Sequence, residues 1–294
     1  MLATTSTSPR VINSAMLEPD GTRIRERHEE VAGVPILWRE ATPPSEDPGA
    51  SRVLYLHGVP TDGHDFLPFL ARTGGIAPDL PGFGRSGKAS TFDYSIDGYA
   101  SFLESFVAHI GLERFSLVVH DWGVLGLVLA QRRPERIERL VIVDGLPLLP
   151  GYRWHRWARL WRRRFVGELT MGLVNRFVMR RVLREGSSAP RPANDALAEQ
   201  VWSHFDHGTQ RAIIRLYRSA PPEVLEAAGA HLGDVVAPAL VVWGERDPFV
   251  PSGFASAYAE ALGGPARVEL KQGAGHWPWL DRPEVIEEIA SFLG

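Results

Sequence analysis

Continuous apolar runs alternate with amphipathic stretches along most of this chain. Thr22–Val31 and Val34–Ala41 predict two short strands joined by a turn at Gly33, and the Pro, Gly and Ser of Thr42–Ser51 predict a loop. Arg52–His57 predicts a buried strand that runs into His57-Gly58-Val59-Pro60. Further strands are predicted at Ile76–Leu80, Phe115–His120 and Arg139–Asp144. Between them lie an amphipathic helix over Ser95–Ile110 and a helix over Val124–Arg133, closed by Pro134. Unbroken apolar strands separated by helices predict a mostly parallel sheet covered on both faces, an α/β fold.

The rhythm breaks near Pro147. Residues 147–231 carry helical periodicity, many arginines and no convincing strand. It resumes with a strand at Ala239–Trp243, a helix over Ser252–Leu262, a strand at Arg267–Lys271 and a helix over Pro283–Phe292. The predicted organisation is a flexible N-terminal tail over 1–21, an α/β core from 22–146 and 232–294, and a helical cap over 147–231, inserted after the sixth predicted strand.

Composition narrows the chemistry. With 294 residues, 44% hydrophobic and 23% charged, the chain has the make-up of a globular protein with a sizeable core. A net charge of −3 provides no global field for nucleic acid or an acidic membrane, and neither is expected as a partner. The absence of cysteine excludes intrachain disulfides, thiolate metal sites and a cysteine nucleophile. The N-terminus lacks a basic region followed by an apolar one, and no apolar run approaches the roughly 18–20 residues of a membrane span. The expected location is the cytoplasm; the sequence leaves the oligomeric state open.

Four loops that follow predicted strands carry the candidate chemistry, and in an open parallel sheet such loops share one edge. His120-Asp121-Trp122-Gly123 sits at a strand–turn–helix junction and resembles a nucleophile elbow, with Asp in place of Ser. Gly123 suits the tight turn; Val119 stands where the serine pattern has Gly. A carboxylate with an ordinary pKa of about 3.9 is ionised at neutral pH and attacks without a base. Such a nucleophile suits displacement at an sp3 carbon and yields an ester; the alternative reading of Asp121 is a helix N-cap. His276, in Gly273-Ala274-Gly275-His276-Trp277, is placed to activate water against that ester. Asp247, in Glu245-Arg246-Asp247-Pro248, is the expected partner of the imidazole, since the order Asp121, Asp247, His276 matches nucleophile–acid–histidine. Asp144 is its rival and Glu245 a weaker one. The N–H groups of Val59 and Trp122 form a candidate oxyanion hole, and a cis Pro60 would aim the Val59 amide. Asp79–Gly87 has several glycines but no following helix, so it reads as a structural loop rather than a nucleotide site. His204, Asp206 and His207 lack further ligands at suitable spacing, and no metal or cofactor is expected.

Together HGVP, DLPGFGRSG, VVHDWG, WGERDP and GAGHW resemble the α/β-hydrolase superfamily across residues 22–294. The HDWG elbow is similar to the aspartate-nucleophile branch, the epoxide hydrolases and haloalkane dehalogenases. The resemblance implies a small apolar organic substrate, water as co-substrate and a covalent alkyl-enzyme ester. Epoxide hydrolases protonate the epoxide oxygen with cap tyrosines, which Tyr217 in Leu216-Tyr217-Arg218 resembles; Tyr152 is the other candidate. Dehalogenases hold the halide with two N–H donors. Trp122 matches the first of these, while the second is an Asn at the Val59 position or a cap tryptophan. Epoxide opening is the first expectation and dehalogenation the alternative. Trp122 disfavours the fluoroacetate branch, and the missing serine disfavours an esterase. A non-catalytic receptor of the same fold is the alternative from another class.

Trp154, Trp157 and Trp161 fall on one face of a predicted helix. They would either wall the substrate cavity and supply the second halide donor, or dock the cap on the core. The arginines at 153, 156, 159, 162, 163 and 164 read as a solvated helix face.

Overall fold

A computed structural model of the protein describes residues 15–17, 23–42 and 52–294. Nine strands form one sheet: β1 (Ala15–Leu17), β2 (Arg23–Val31), β3 (Val34–Ala41), β4 (Val53–Leu56), β5 (Gly75–Pro78), β6 (Phe115–His120), β7 (Ile137–Val143), β8 (Ala239–Gly244) and β9 (Ala266–Lys271). Their order is β1-β2-β3-β5-β4-β6-β7-β8-β9. The first three strands form an antiparallel meander that joins β5, and β5 to β9 run parallel. Ala15–Leu17 was expected in the loose tail but pairs with β2, with Met16 opposite Ile24. The rest of that tail and nearly all of the 42–51 loop lie outside the described residues.

Both faces of the parallel strands are buried because successive side chains point to opposite sides. Leu54, Leu56, Leu117, Val119, Leu140 and Ile142 face one core layer; Val53, Tyr55, Val118, Val141 and Val143 face the other. Helices α2 (Ile96–His109), α3 (Leu125–Arg132) and α10 (Gly253–Ala261) cover the first layer, while α1 (Leu67–Thr73) and α12 (Glu284–Leu293) cover the second. Ser95 caps α2 by accepting from the Gly98 N–H, which explains the helix start expected there. Val119 fills core space rather than crowding the elbow, so a glycine is not needed at that position.

Strand order reverses at β4. The chain leaves β4 to build β5 on one side, then crosses over through α2 to place β6 on the other. The crevice at such a switch point is where open α/β sheets bind ligands. Leu56 pairs with Val119, so the HGVP and HDWG loops leave the sheet side by side.

Six helices lie between β7 and β8: α4 (Arg156–Trp161), α5 (Val166–Gly172), α6 (Arg176–Glu185), α7 (Arg191–His204), α8 (His207–Ser219) and α9 (Pro222–Ala228). They meet the core through apolar contacts and polar ties, among them Gln200 to Asp62 (3.1 Å) and Lys88 to Asp206 (2.8 Å). Short α11 (Pro278–Asp281) follows the last strand. Beneath the HGVP loop, buried Arg39 contacts Asp79 at 2.6 Å, and Asp79 accepts from the Gly63 and Arg85 amides. The glycine-rich Asp79–Gly87 run is thus held by a buried carboxylate, in keeping with its structural reading.

Candidate active site

The elbow is built by conformation as much as by side chain. Asp121 has φ of +48°, a left-handed backbone that non-glycine residues seldom adopt and that turns β6 sharply into a helical turn. A Cβ on Gly123 would lie 2.0 Å from the Leu56 carbonyl oxygen, so only glycine lets the turn lie against β4. Asp121 is nonetheless buried. Its Oδ2 accepts from the Val59 N–H at 2.9 Å, and the Trp122 N–H also bonds its carboxylate. The Val59–Pro60 peptide bond is cis.

His276 stands across from Oδ1, with Nε2 3.8 Å away, beyond hydrogen-bond reach. Its Nδ1 lies 2.7 Å from Asp247 Oδ2, whose other oxygen accepts from the Phe249 and Val250 amides. A close backbone approach brings these loops together: a Cβ on Gly244 would sit 1.9 Å from the Gly275 carbonyl oxygen. The His276 amide bonds Gly186 at the end of α6, tying the loop to the cap.

Between the rivals for the imidazole, Asp247 makes the contact. Asp144 sits behind it, fully buried, accepting from the Gly244 N–H at 3.0 Å and hydrogen-bonded to Asp247. Burial and the neighbouring Asp247 charge hold the Asp144 carboxyl well above the usual range. Among the described residues, Asp144, Asp247 and His276 form the one group whose ligand atoms, all within 4.8 Å of one another, could hold a metal. Their mutual hydrogen bonds already engage these atoms. Glu245 is turned outward and accepts from the Gly273 amide.

Burial raises the Asp121 carboxyl; His276 and the two amides pull the other way without cancelling it. The sequence-based expectation of an ordinary carboxylate therefore needs correcting. For His276, burial disfavours the imidazolium, but Asp247 and then Asp121 outweigh it, and its pKa rises above 6.5.

The carboxylate and imidazole face a small apolar cavity, lined also by Met171, Val174, Met179 and Phe249. Tyr217 reaches this cavity from α8. Burial and the Asp121 charge push its hydroxyl well above 10, so it remains a donor. Its ring meets Trp122 edge-on at 5.0 Å. The Trp122 indole N–H lies near that hydroxyl and is buried without a hydrogen-bond partner among the described residues.

The three cap tryptophans do not share a helix face. Trp154 precedes α4 and stacks on Trp122 at 5.7 Å, with its N–H committed to the Ala220 carbonyl. Trp154 docks the cap. Trp157 and Trp161 line the cavity, but the Trp157 N–H is held by Glu185. Tyr152 gives its hydroxyl to the Phe249 carbonyl at 3.3 Å and does not line the cavity. Sequence reasoning missed His155, which lines the cavity and caps α4 through Nδ1; burial lowers its pKa to about 3. Its position between Trp154 and Arg156 offers no periodic signal that could have marked it.

Residues 51–283 match the family described as alpha/beta hydrolase fold. The chain belongs to the α/β-hydrolase family. A haloalkane dehalogenase of Mycolicibacterium paratuberculosis is 29% identical over 82% of each chain. Epoxide hydrolase 3 of Xenopus tropicalis is 24% identical over 81% of this chain and 69% of its own. The crystal structure of haloalkane dehalogenase DbeA from Bradyrhizobium elkani superposes with a TM-score of 0.76 at 27% identity, covering 92% of this chain and 97% of that one. This α/β hydrolase is thus an enzyme of the branch with aspartate at the elbow. No described helix is long and apolar enough to cross a membrane.

Proposed function

We propose that the enzyme opens small apolar epoxides to diols through an ester on Asp121. The observation that carries this reading is the Tyr217 hydroxyl, kept protonated beside Asp121 in an apolar cavity. The Val59 N–H holds Oδ2 while Oδ1 lies toward His276, which leaves Oδ1 to attack the epoxide carbon as the carbon–oxygen bond breaks. Tyr217 donates to the leaving oxygen. His276, held by Asp247, then takes a proton from water as the water oxygen adds to Cγ of Asp121. Negative charge builds on Oδ2, where the Val59 amide already points. Collapse expels the ester oxygen and restores the carboxylate; of the two protons that water brought, one goes to the diol and one returns to Tyr217.

A parallel assay of epoxides and haloalkanes tests the leaving group. Epoxide turnover should dominate, and Tyr217→Phe should lower its kcat by roughly 10²-fold. Halide release with epoxides untouched would instead establish the second reading, dehalogenation. That reading draws support from the unpartnered Trp122 N–H and from the dehalogenase relatives. Under it, Trp122→Phe abolishes halide release; under epoxide opening, Tyr217→Phe has the larger effect.

The acid–base arrangement predicts a pH profile. His276 acts as a base only when neutral, and its pKa lies above 6.5. Ester hydrolysis should therefore rise with pH as His276 loses its proton and fall as His276 protonates. Single-turnover decay of the ester across pH measures this directly; decay that does not slow toward low pH contradicts the assignment.

A further inference from the structure

The cap carries two apolar faces, and only one of them lines the cavity. Met171, Val174, Met179 and Val182 point from the α5–α6 region into the pocket. On the other side, Phe165, Leu169, Leu173 and Phe177 are 74%, 65%, 66% and 75% exposed. Phe165, Leu169 and Leu173 stand on successive turns, since the amide of each later residue bonds the carbonyl four before it. Large apolar side chains clustered in water mark an interaction surface.

The surrounding charge identifies what this surface meets. Residues 153–184 hold ten arginines and one carboxylate, Glu168, in a chain whose net charge is −3. Arg163 and Arg164 directly precede Phe165, and the Arg164 guanidinium lies over its ring at 5.1 Å. Phe177 lines a surface groove with Arg180, Arg181, Arg184 and Arg191, against a single acid, Glu185. Arg184 pairs with Asp195 and Arg180 with Glu199, whereas Arg163, Arg164 and Arg181 make no ion pair among the described residues.

We propose that this face of the cap docks on an anionic lipid bilayer, with Phe165, Leu169, Leu173 and Phe177 among the acyl chains and the arginines on headgroup phosphates. Apolar side chains flanked by cations suit the interface between tails and anionic headgroups. Guanidinium forks match phosphate oxygens in two-point hydrogen bonds. Pairing two copies through this face would set arginine against arginine, which disfavours a self-interface. The proposal departs from the expectation of no membrane partner, which drew on net charge and on the lack of a long apolar run, and is independent of the leaving group.

Flotation of the whole protein with vesicles tests it. Wild type should float with phosphatidylcholine vesicles containing phosphatidylglycerol and not with phosphatidylcholine alone. Binding should weaken toward 1 M salt, where charges are screened over about 3 Å. Leu169→Glu with Leu173→Glu should weaken binding at least about tenfold, and Arg163→Gln with Arg164→Gln and Arg181→Gln by a similar factor. Phe177→Ser serves as a second apolar variant should the glutamate pair lower Tm. Wild type that stays with the buffer at low salt overturns the proposal, as does binding unchanged in every variant. Self-association that the glutamate pair abolishes, without vesicle binding, would assign the face to a second copy and overturn it equally.

Discussion

Asp121→Ala is expected to lower turnover by at least about 10⁴-fold on every substrate the wild type accepts, because no other group can form the ester. His276 alone would have to direct water at the substrate, with no ester carbonyl across from it to attack. The same change should leave Tm unchanged or raised. Asp121 is a buried acid whose carboxyl burial pushes upward, held in a left-handed backbone. Removing it relieves the desolvation that function imposes. Activity and thermal melting on one sample separate this outcome from simple unfolding. Normal turnover by the alanine variant would end the nucleophile assignment.

His276→Gln should separate the two half-reactions. Attack by Asp121 needs no base, so the first step continues, while ester hydrolysis slows by roughly 10²–10⁴-fold. Intact mass should then show one substrate added per chain, located on Asp121 after proteolysis. For the wild type, a single turnover in heavy-oxygen water should place the label in the Asp121 carboxylate, since water adds at Cγ. Label appearing directly in the product, with no adduct in the glutamine variant, would favour attack by water and reduce Asp121 to a spectator.

The close spacing of groups explains why acid assignment was difficult from sequence. Asp144 and Asp247 follow adjacent parallel strands, so either could reach an imidazole at that sheet edge. Their geometry separates the roles. Asp247 contacts Nδ1 and takes two backbone N–H bonds, which stabilise a charge, whereas Asp144 lies deeper, where burial pushes its carboxyl well above the usual range. Chain order pointed to Asp247 but could not reveal a second acid hydrogen-bonded behind it.

Residue type and short spacing encode what neighbours in sequence impose on one another. The apolar runs of β4, β6, β7 and β8, the Ser95 cap and the glycine two places after Asp121 were legible in the chain itself. So were the residues at the strand ends, because parallel strands deliver their following loops to a common edge. Short α1 was not predicted, since seven residues hold too few turns for a periodic pattern. Contacts between distant segments decided the rest. Trp154 looked helical by spacing, but its docking on Trp122 and Ala220 draws it out of the helix. Nothing in the sequence pattern sets Phe165, Leu169, Leu173 and Phe177 apart, and only the folded chain leaves them in water. Periodicity specifies that a face is apolar; whether protein, substrate or solvent covers that face depends on the packing of the whole molecule.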